Sequence, residues 1–279
     1  MDADRTVRVC AVLGDPIEHS LSPLLHQTAY RSLGLGWEYQ RHRVDAAGLP
    51  AFVAGLDGRW RGLSLTMPLK EAALALGEPD ETVLAVGAAN TLLLDEPRRV
   101  RNTDVGGLRR ALGSAGVETV GTALVLGTGA TARSAVAALL GMGAARITVL
   151  ARRPERAEPL VAMAAGSAGE VEVRPWAEAV AAGSLDPVDV AVSTVVAGAA
   201  DALAPLVAGA APVVFDVIYD PWPTVLAETA ARTGATVVDG LDLLVHQAVL
   251  QVELMTGRTV DPGLLLSAGR EAVGRPSPG

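Results

Sequence analysis

The sequence predicts an α/β protein of two domains, and three observations carry that reading. Short β-branched runs alternate with Ala/Leu-rich stretches from end to end. At 279 residues the chain has room for two ordinary domains. Half of the residues are hydrophobic but only 3% are aromatic, so Ala, Val and Leu must build the core. The runs VRVCAVLG, WEYQRHRV, RGLSLTM, TALVLG, RITVLA, DVAVST, PVVFDV and TVVDG read as strands. Between them, SPLLHQTAYRSLG, ATARSAVAALLGMG and PTVLAETAARTG read as helices, and GLDLLVHQAVLQVELMTG is a long amphipathic one near the end. Strands that alternate with helices imply parallel sheets covered on both faces.

The character of the turns changes near residue 105. Before it they carry polar residues: Ser20, Ser22, Thr66, Lys70, Asn90, Asn102 and Asp104. After it the chain has the regularity of a nucleotide-binding unit. The expected domains are therefore 1–105, 106–240 and a set of C-terminal helices over 241–279. The tail GRPSPG is expected to be disordered.

Composition excludes several classes of function. A net charge of −8 and a pI near 5.1 argue against nucleic acid, whose phosphates need a basic face. The window from 189 to 215 is apolar, but Asp201, Pro205 and Pro212 interrupt it, so strand, helix and strand explain it better than a membrane span. One cysteine, Cys10, allows neither an intramolecular disulfide nor a thiolate cluster, and its apolar neighbours make it a core residue. His19 and His26 have no acidic partner at ligand spacing, so no metal site is expected. The opening MDADRTVRV lacks a basic segment followed by an apolar one, which points to a cytoplasmic protein.

Lys70 is the only lysine among twenty-three Lys plus Arg. Either cation serves on a surface. Proton transfer is different, because a guanidinium stays charged in proteins while an ammonium can lose its proton. A lone lysine in a polar turn is therefore a candidate for acid–base work.

The stretch TALVLGTGATARSAVAALL is a strand, then Gly127-Thr128-Gly129-Ala130-Thr131-Ala132, then a helix. This is the dinucleotide fingerprint G-x-G-x-x-A in its required context. Gly127 permits the tight turn, Gly129 admits a pyrophosphate to the backbone, and Ala132 lets the helix pack on the strand. The free N–H groups of the helix start then face the phosphates. An NAD site usually places Asp or Glu at the end of the next strand. Here that strand ends in Ala151-Arg152-Arg153, with Arg156 one helical turn on. Two guanidinium groups suit a 2′-phosphate, so the cofactor expected is NADP.

Five further stretches complete the pattern: GDPIEHSLSPLLH, LSLTMPLK, GAANTL, RNTDVGG and GLDLLVHQ. Both asparagines of the chain, Asn90 and Asn102, precede a threonine inside them. With DVIYDPWPTVLAE and the fingerprint, in this order across nearly the whole chain, the sequence resembles the shikimate dehydrogenase family. The resemblance implies a substrate-binding catalytic domain first, a Rossmann domain for NADP second, and C-terminal helices returning to the first. It implies that Ser20 and Ser22 hold the shikimate carboxylate, and Ser22-Pro23 also reads as the cap and first position of a helix. Thr66, Asn90, Asp104 and Gln247 match positions that bond the substrate hydroxyls, and Tyr219 matches another substrate contact. Lys70 and Asp104 match the catalytic pair. Val217, Ile218 and Gly240 match positions near the nicotinamide.

The sequence also departs from the family pattern. Ser64 stands where asparagine is common, and Ala151-Arg152-Arg153 where Asn-Arg-Thr/Ser is frequent. STVVAGAAD replaces a proline-containing turn, and Val252 and Met255 replace aromatics. The activity implied is reversible NADPH-dependent reduction of 3-dehydroshikimate to shikimate, on the route to chorismate and the aromatic amino acids, by a monomer or homodimer that binds neither nucleic acid nor membrane. The alternatives are a quinate or aminoshikimate dehydrogenase, or a non-catalytic shikimate sensor. The Lys70–Asp104 pair argues against the sensor, since binding alone requires no lysine.

Overall fold

The computed structural model describes residues 7–275, so the start of MDADRTVRV and the last four residues of the tail lie outside the described residues. The chain divides into two compact units. One takes the residues up to Thr103 and from Leu244 onward; the other is Asp104–Leu243.

The first unit opens with β1 (Val9–Gly14), buried at every position, then α1 (Ser22–Ser32), β2 (Glu38–Arg43), α2 (Leu49–Ala54) and β3 (Trp60–Leu65). The short α3 (Leu69–Ala72) leads through a 3-10 turn to β4 (Glu78–Pro79) and α4 (Glu81–Val86). Next come β5 (Thr91–Leu93), β6 (Arg99–Arg101) and α5 (Thr103–Ser114), which carries the chain into the second unit. The sheet order is β2-β1-β3-β5-β6-β4. It is not wholly parallel, as the strand–helix alternation predicts. β5 runs antiparallel to both β3 and β6. For β5 and β6 the physical reason is the short link over 94–98, which can close a hairpin but cannot make the crossover that parallel strands need.

The second unit continues with β7 (Thr122–Leu126), α6 (Ala130–Gly141), β8 (Arg146–Ala151), α7 (Glu158–Ala164), β9 (Glu170–Pro175) and α8 (Trp176–Ala182). Then follow β10 (Val190–Ser193), α9 (Ala204–Ala210), β11 (Val213–Asp216), α10 (Val225–Arg232) and β12 (Thr236–Val238). Its sheet, β12-β11-β10-β7-β8-β9, is parallel throughout. Both faces are covered. Along β7, Ala123 and Val125 enter one core while Leu124 and Leu126 enter the other, the period-two pattern of a buried strand. Strand order reverses between β7 and β10, and a sheet of this kind binds ligands where it reverses. β9 is absent from the strands expected of the sequence, because Glu170-Val171-Glu172-Val173 is the half-exposed alternation of an edge.

The chain ends with α11 (Gly240–Thr256) and α12 (Pro262–Ala272). From Leu244 these belong to the first unit, where α12 packs on α1. The apolar window from 189 to 215 resolves into β10, a 3-10 turn, α9 and β11. Among the described residues, no helix is long and apolar enough to cross a membrane.

Candidate active site

In the first unit Thr91, Thr103 and Gln247 gather around the side chain of Asn90. Asp80 caps α4 by accepting the Val83 N–H at 2.9 Å, and Gly87, at φ 64°, stops the helix in the left-handed conformation that glycine adopts freely. That stop delivers Ala88, Ala89 and Asn90 to the sheet. The Asn90 backbone bridges two strands: its C=O accepts the Leu65 N–H at 2.7 Å and its N–H donates to the Arg101 C=O at 3.0 Å. Its side chain, 2% exposed, accepts the Thr103 N–H at 2.8 Å and donates to Thr103 Oγ1 at 2.8 Å and Gln247 Oε1 at 3.3 Å. Lys70 is drawn to the same place, since its carbonyl accepts the Ala89 N–H at 2.7 Å. Thr66, half-buried, directly follows β3, and its carbonyl accepts the Leu69 N–H that starts α3. Asp104 follows Thr103 in the first turn of α5 and is buried.

Gln247 donates to the Leu244 carbonyl at 2.8 Å, so both ends of its amide are engaged within the first unit. One turn on, Gln251 is 1% exposed and extends the network. It donates to the Asn90 carbonyl at 3.1 Å and to Thr91 Oγ1 at 3.0 Å, and it accepts from Ser64 at 2.8 Å. Ser64 in turn accepts the Tyr39 hydroxyl at 2.5 Å. The shorter side chain at Ser64 is thus absorbed by Tyr39 and Gln251. Sequence reasoning missed Tyr39, Thr103 and Gln251. The signal for Gln251 was available, because a second glutamine four residues after Gln247 lies on the same helix face among apolar neighbours.

Ser20 and Ser22 stand between β1 and α1. The helix begins at Ser22 and its cap position falls on Leu21, which has no side-chain cap, so Ser22 is not the N-cap that Ser22-Pro23 suggests. Ser20 Oγ accepts the Ser22 N–H at 3.3 Å instead, which satisfies that donor from outside the helix. Arg41 holds the loop by donating to the carbonyls of Glu18 and Ser20. Behind Ser22, His26 is fully buried, bonded through Nδ1 to the Ser22 carbonyl at 3.0 Å and stacked on Tyr39 with 4.0 Å between ring centroids. Burial pushes its imidazole down to about 4, only partly opposed by the bond to Ser22. Cys10 is wholly buried, and desolvation pushes its thiol up to about 11, so it is a core residue and not a nucleophile.

In the second unit the fingerprint forms the turn from β7 to α6. Gly127 has φ 114°, and a Cβ there would lie 2.6 Å from Thr194 Oγ1, so the fold itself requires glycine. Gly129 differs. A Cβ there would meet no atom within 4 Å, so nothing in the protein accounts for glycine at this position. Thr128, Ala130 and Thr131 are half-buried around it, and Ala132 is fully buried against the sheet. Ala151 ends β8 in the core, while Arg152 and Arg153 are exposed. A 3-10 turn follows them and α7 starts only at Glu158, so the two arginines do not crowd a helix start. At the neighbouring end of the sheet, Val217, Ile218 and Tyr219 are half-buried after β11. A Cβ at Gly240 would lie 2.1 Å from the Val217 carbonyl oxygen, so α11 can begin here only with glycine.

Family models match the chain in two places: a shikimate dehydrogenase substrate binding domain over residues 12–92 and a shikimate 5′-dehydrogenase C-terminal domain over 240–268. A shikimate dehydrogenase (NADP+) of Methanothrix thermoacetophila is 38% identical over 279 residues, covering 96% of this chain and 99% of the relative. The chain belongs to the shikimate dehydrogenase family. Solved structures of family members agree. The Mycobacterium tuberculosis shikimate dehydrogenase matches with a TM-score of 0.85 at 41% identity, over 94% of this chain and 98% of that one. The shikimate 5-dehydrogenase of Thermus thermophilus, crystallised in complex with NADP(H) and shikimate, matches at 0.82 and 32% identity, over 95% of this chain and all of the other.

Proposed function

We propose that this member of the shikimate dehydrogenase family catalyses the reversible NADPH-dependent reduction of 3-dehydroshikimate to shikimate. The observation that carries the reading is the Asn90 network: a buried asparagine holds Thr103, which precedes Asp104, gathers Gln247 and Gln251 around itself, and directly follows Ala89, whose N–H donates to the Lys70 carbonyl. A cluster of amides and hydroxyls on rigid elements suits a substrate rich in hydroxyl groups, because a ligand without them leaves buried polar groups unpaired.

Each residue then has a task. Ser20 and Ser22 hold the carboxylate, on a loop that Arg41 keeps in place. Thr66, Asn90, Gln247 and Tyr219 bond the hydroxyls. Lys70, with Asp104, gives or takes the proton on the oxygen of the reacting carbon, work that requires an ammonium. When bound, the nicotinamide cofactor supplies or accepts the hydride. Gly129 fits that cofactor because its open Cβ position leaves room for a pyrophosphate at the start of α6. Thr128, Ala130 and Thr131 complete the phosphate loop. Ala151, Arg152 and Arg153 receive the 2′-phosphate, and Val217 and Gly240 border the nicotinamide. A monomer or homodimer in the cytoplasm, where a lone buried thiol stays reduced, is part of the same reading.

The direct test follows NADPH absorbance with shikimate and NADP supplied to the purified protein. Production of NADPH and 3-dehydroshikimate is expected. Binding of shikimate without turnover would make the protein a sensor, and turnover of quinate in preference would move it to the sister activity.

A further inference from the structure

The loop that follows β11 is tied at its neck by two side chains that none of the tasks above uses. Asp216 is the last residue of β11, paired in register with Ser193 at the end of β10, and is 2% exposed. Its Oδ2 accepts the Thr224 hydroxyl at 2.7 Å, eight residues further on. The same hydroxyl accepts the Ala227 N–H at 3.1 Å and so caps α10. The other carboxylate oxygen, Oδ1, accepts the backbone N–H of Ile218 at 3.3 Å. From the opposite side, the N–H of Gly240 donates to the Ile218 carbonyl at 3.1 Å. The two peptide groups of Ile218 are therefore both pinned, while the side chains of Val217, Ile218 and Tyr219 remain half-exposed.

Stability alone does not explain a carboxylate here. Burial raises its pKa, an effect that the Thr224 and Ile218 bonds only partly offset, so burying the acid here carries a cost. A threonine caps a helix without an acid behind it, and an apolar residue would end a buried strand more cheaply. What the carboxylate adds is a fixed distance between three things: the strand end, the start of α10 and the peptide of Ile218.

We propose that Asp216 and Thr224 are a positioning pair for the reaction, which sets where Val217, Ile218 and Tyr219 stand. The proposal rests on the assignment of Val217 and Tyr219 to cofactor and substrate. It makes the geometry of those two contacts depend on a hydrogen bond that touches neither ligand. A misplacement of a fraction of an ångström at such contacts weakens the reacting arrangement more than it weakens binding at the far end of the cofactor.

The test compares Thr224→Val, Thr224→Ser and Asp216→Asn with the wild-type enzyme. Two quantities are read: steady-state kinetics with shikimate and NADP, and the Kd of adenosine 2′,5′-bisphosphate, which lacks the nicotinamide. Thr224→Val should lower kcat by roughly tenfold or more while the Kd of the bisphosphate stays within about threefold. Thr224→Ser keeps the hydroxyl and should return kcat to within about threefold of wild type. A kcat for Thr224→Val within about twofold of wild type, or a parallel loss of bisphosphate affinity, overturns the proposal. Should Thr224→Val not fold, Asp216→Asn is judged by the same criteria. Tyr219→Phe, measured alongside, separates the two layers. If it changes neither kcat nor KM, the assignment of Tyr219 falls and the proposal with it. If it raises KM while the Thr224 and Asp216 variants behave as wild type, only the positioning pair is wrong.

Discussion

Asn90 Oδ1 accepts the backbone N–H of Thr103 at 2.8 Å, so the residue that precedes Asp104 is held by the side chain that ends the turn after α4. The same oxygen accepts the Thr91 hydroxyl at 3.0 Å, and the amide nitrogen serves Thr103 and Gln247. Each bond is worth about 1 kcal/mol net, but an orphaned buried donor or acceptor costs roughly 1–3 kcal/mol. Asn90→Ala should therefore destabilise the protein by roughly 2–4 kcal/mol and abolish most of its turnover. Urea denaturation beside steady-state kinetics checks both. A stability loss below about 1 kcal/mol would show that water or a neighbour replaces the amide.

Lys70→Ala should cut kcat by a factor on the order of 10³ or more with little change in KM, because no other lysine exists to take over. Lys70→Arg should be nearly as poor, since it restores charge without a transferable proton. Turnover within about tenfold of wild type in either variant would remove the proton-transfer role.

Much of this site is legible in the sequence because its chemistry needs rare residue types at turns. Lys70 stands out as the lone lysine, and Asn90 as one of two asparagines. Gly127 and Gly129 are equally visible as letters, but only the structure separates them: one is demanded by Thr194 and the other by nothing in the protein. What the sequence hides is long-range pairing. Nothing local announces that Tyr39 and Gln251 meet on Ser64, residues far apart in the chain. The antiparallel β5 is hidden for a different reason, since three residues are too few to show a period.

Replacing Arg152 and Arg153 by alanine should weaken NADP far more than NAD. Both side chains are exposed at the end of β8, so their bonds to a 2′-phosphate are screened by solvent. The expected loss is roughly ten- to a hundredfold in NADP affinity, with NAD changed by less than about threefold. Titration of each cofactor against the double variant decides it. An equal loss for both would take the 2′-phosphate away from these arginines.

His26 gives stability a pH dependence whose sign is fixed by burial. Its ordinary value is 6.5, and in the folded protein desolvation pushes it down to about 4. The unfolded chain therefore takes up a proton on this imidazole at a pH where the folded chain does not. Its contribution to stability is complete above 6.5 and is lost as pH falls from there through about 4. A shift of that size corresponds to about 3 kcal/mol at most. Carboxylates titrate at the lower end of the same window, so the wild-type curve alone is not diagnostic. His26→Phe keeps a flat ring to stack on Tyr39 and removes the titrating group. Its stability should fall less steeply than that of the wild type between neutral pH and about 4.5, whatever its absolute value. Urea unfolding across that range compares the slopes. Parallel curves would mean that the His26 imidazole is solvated in the native state and that Ser22 does not rest on a neutral histidine.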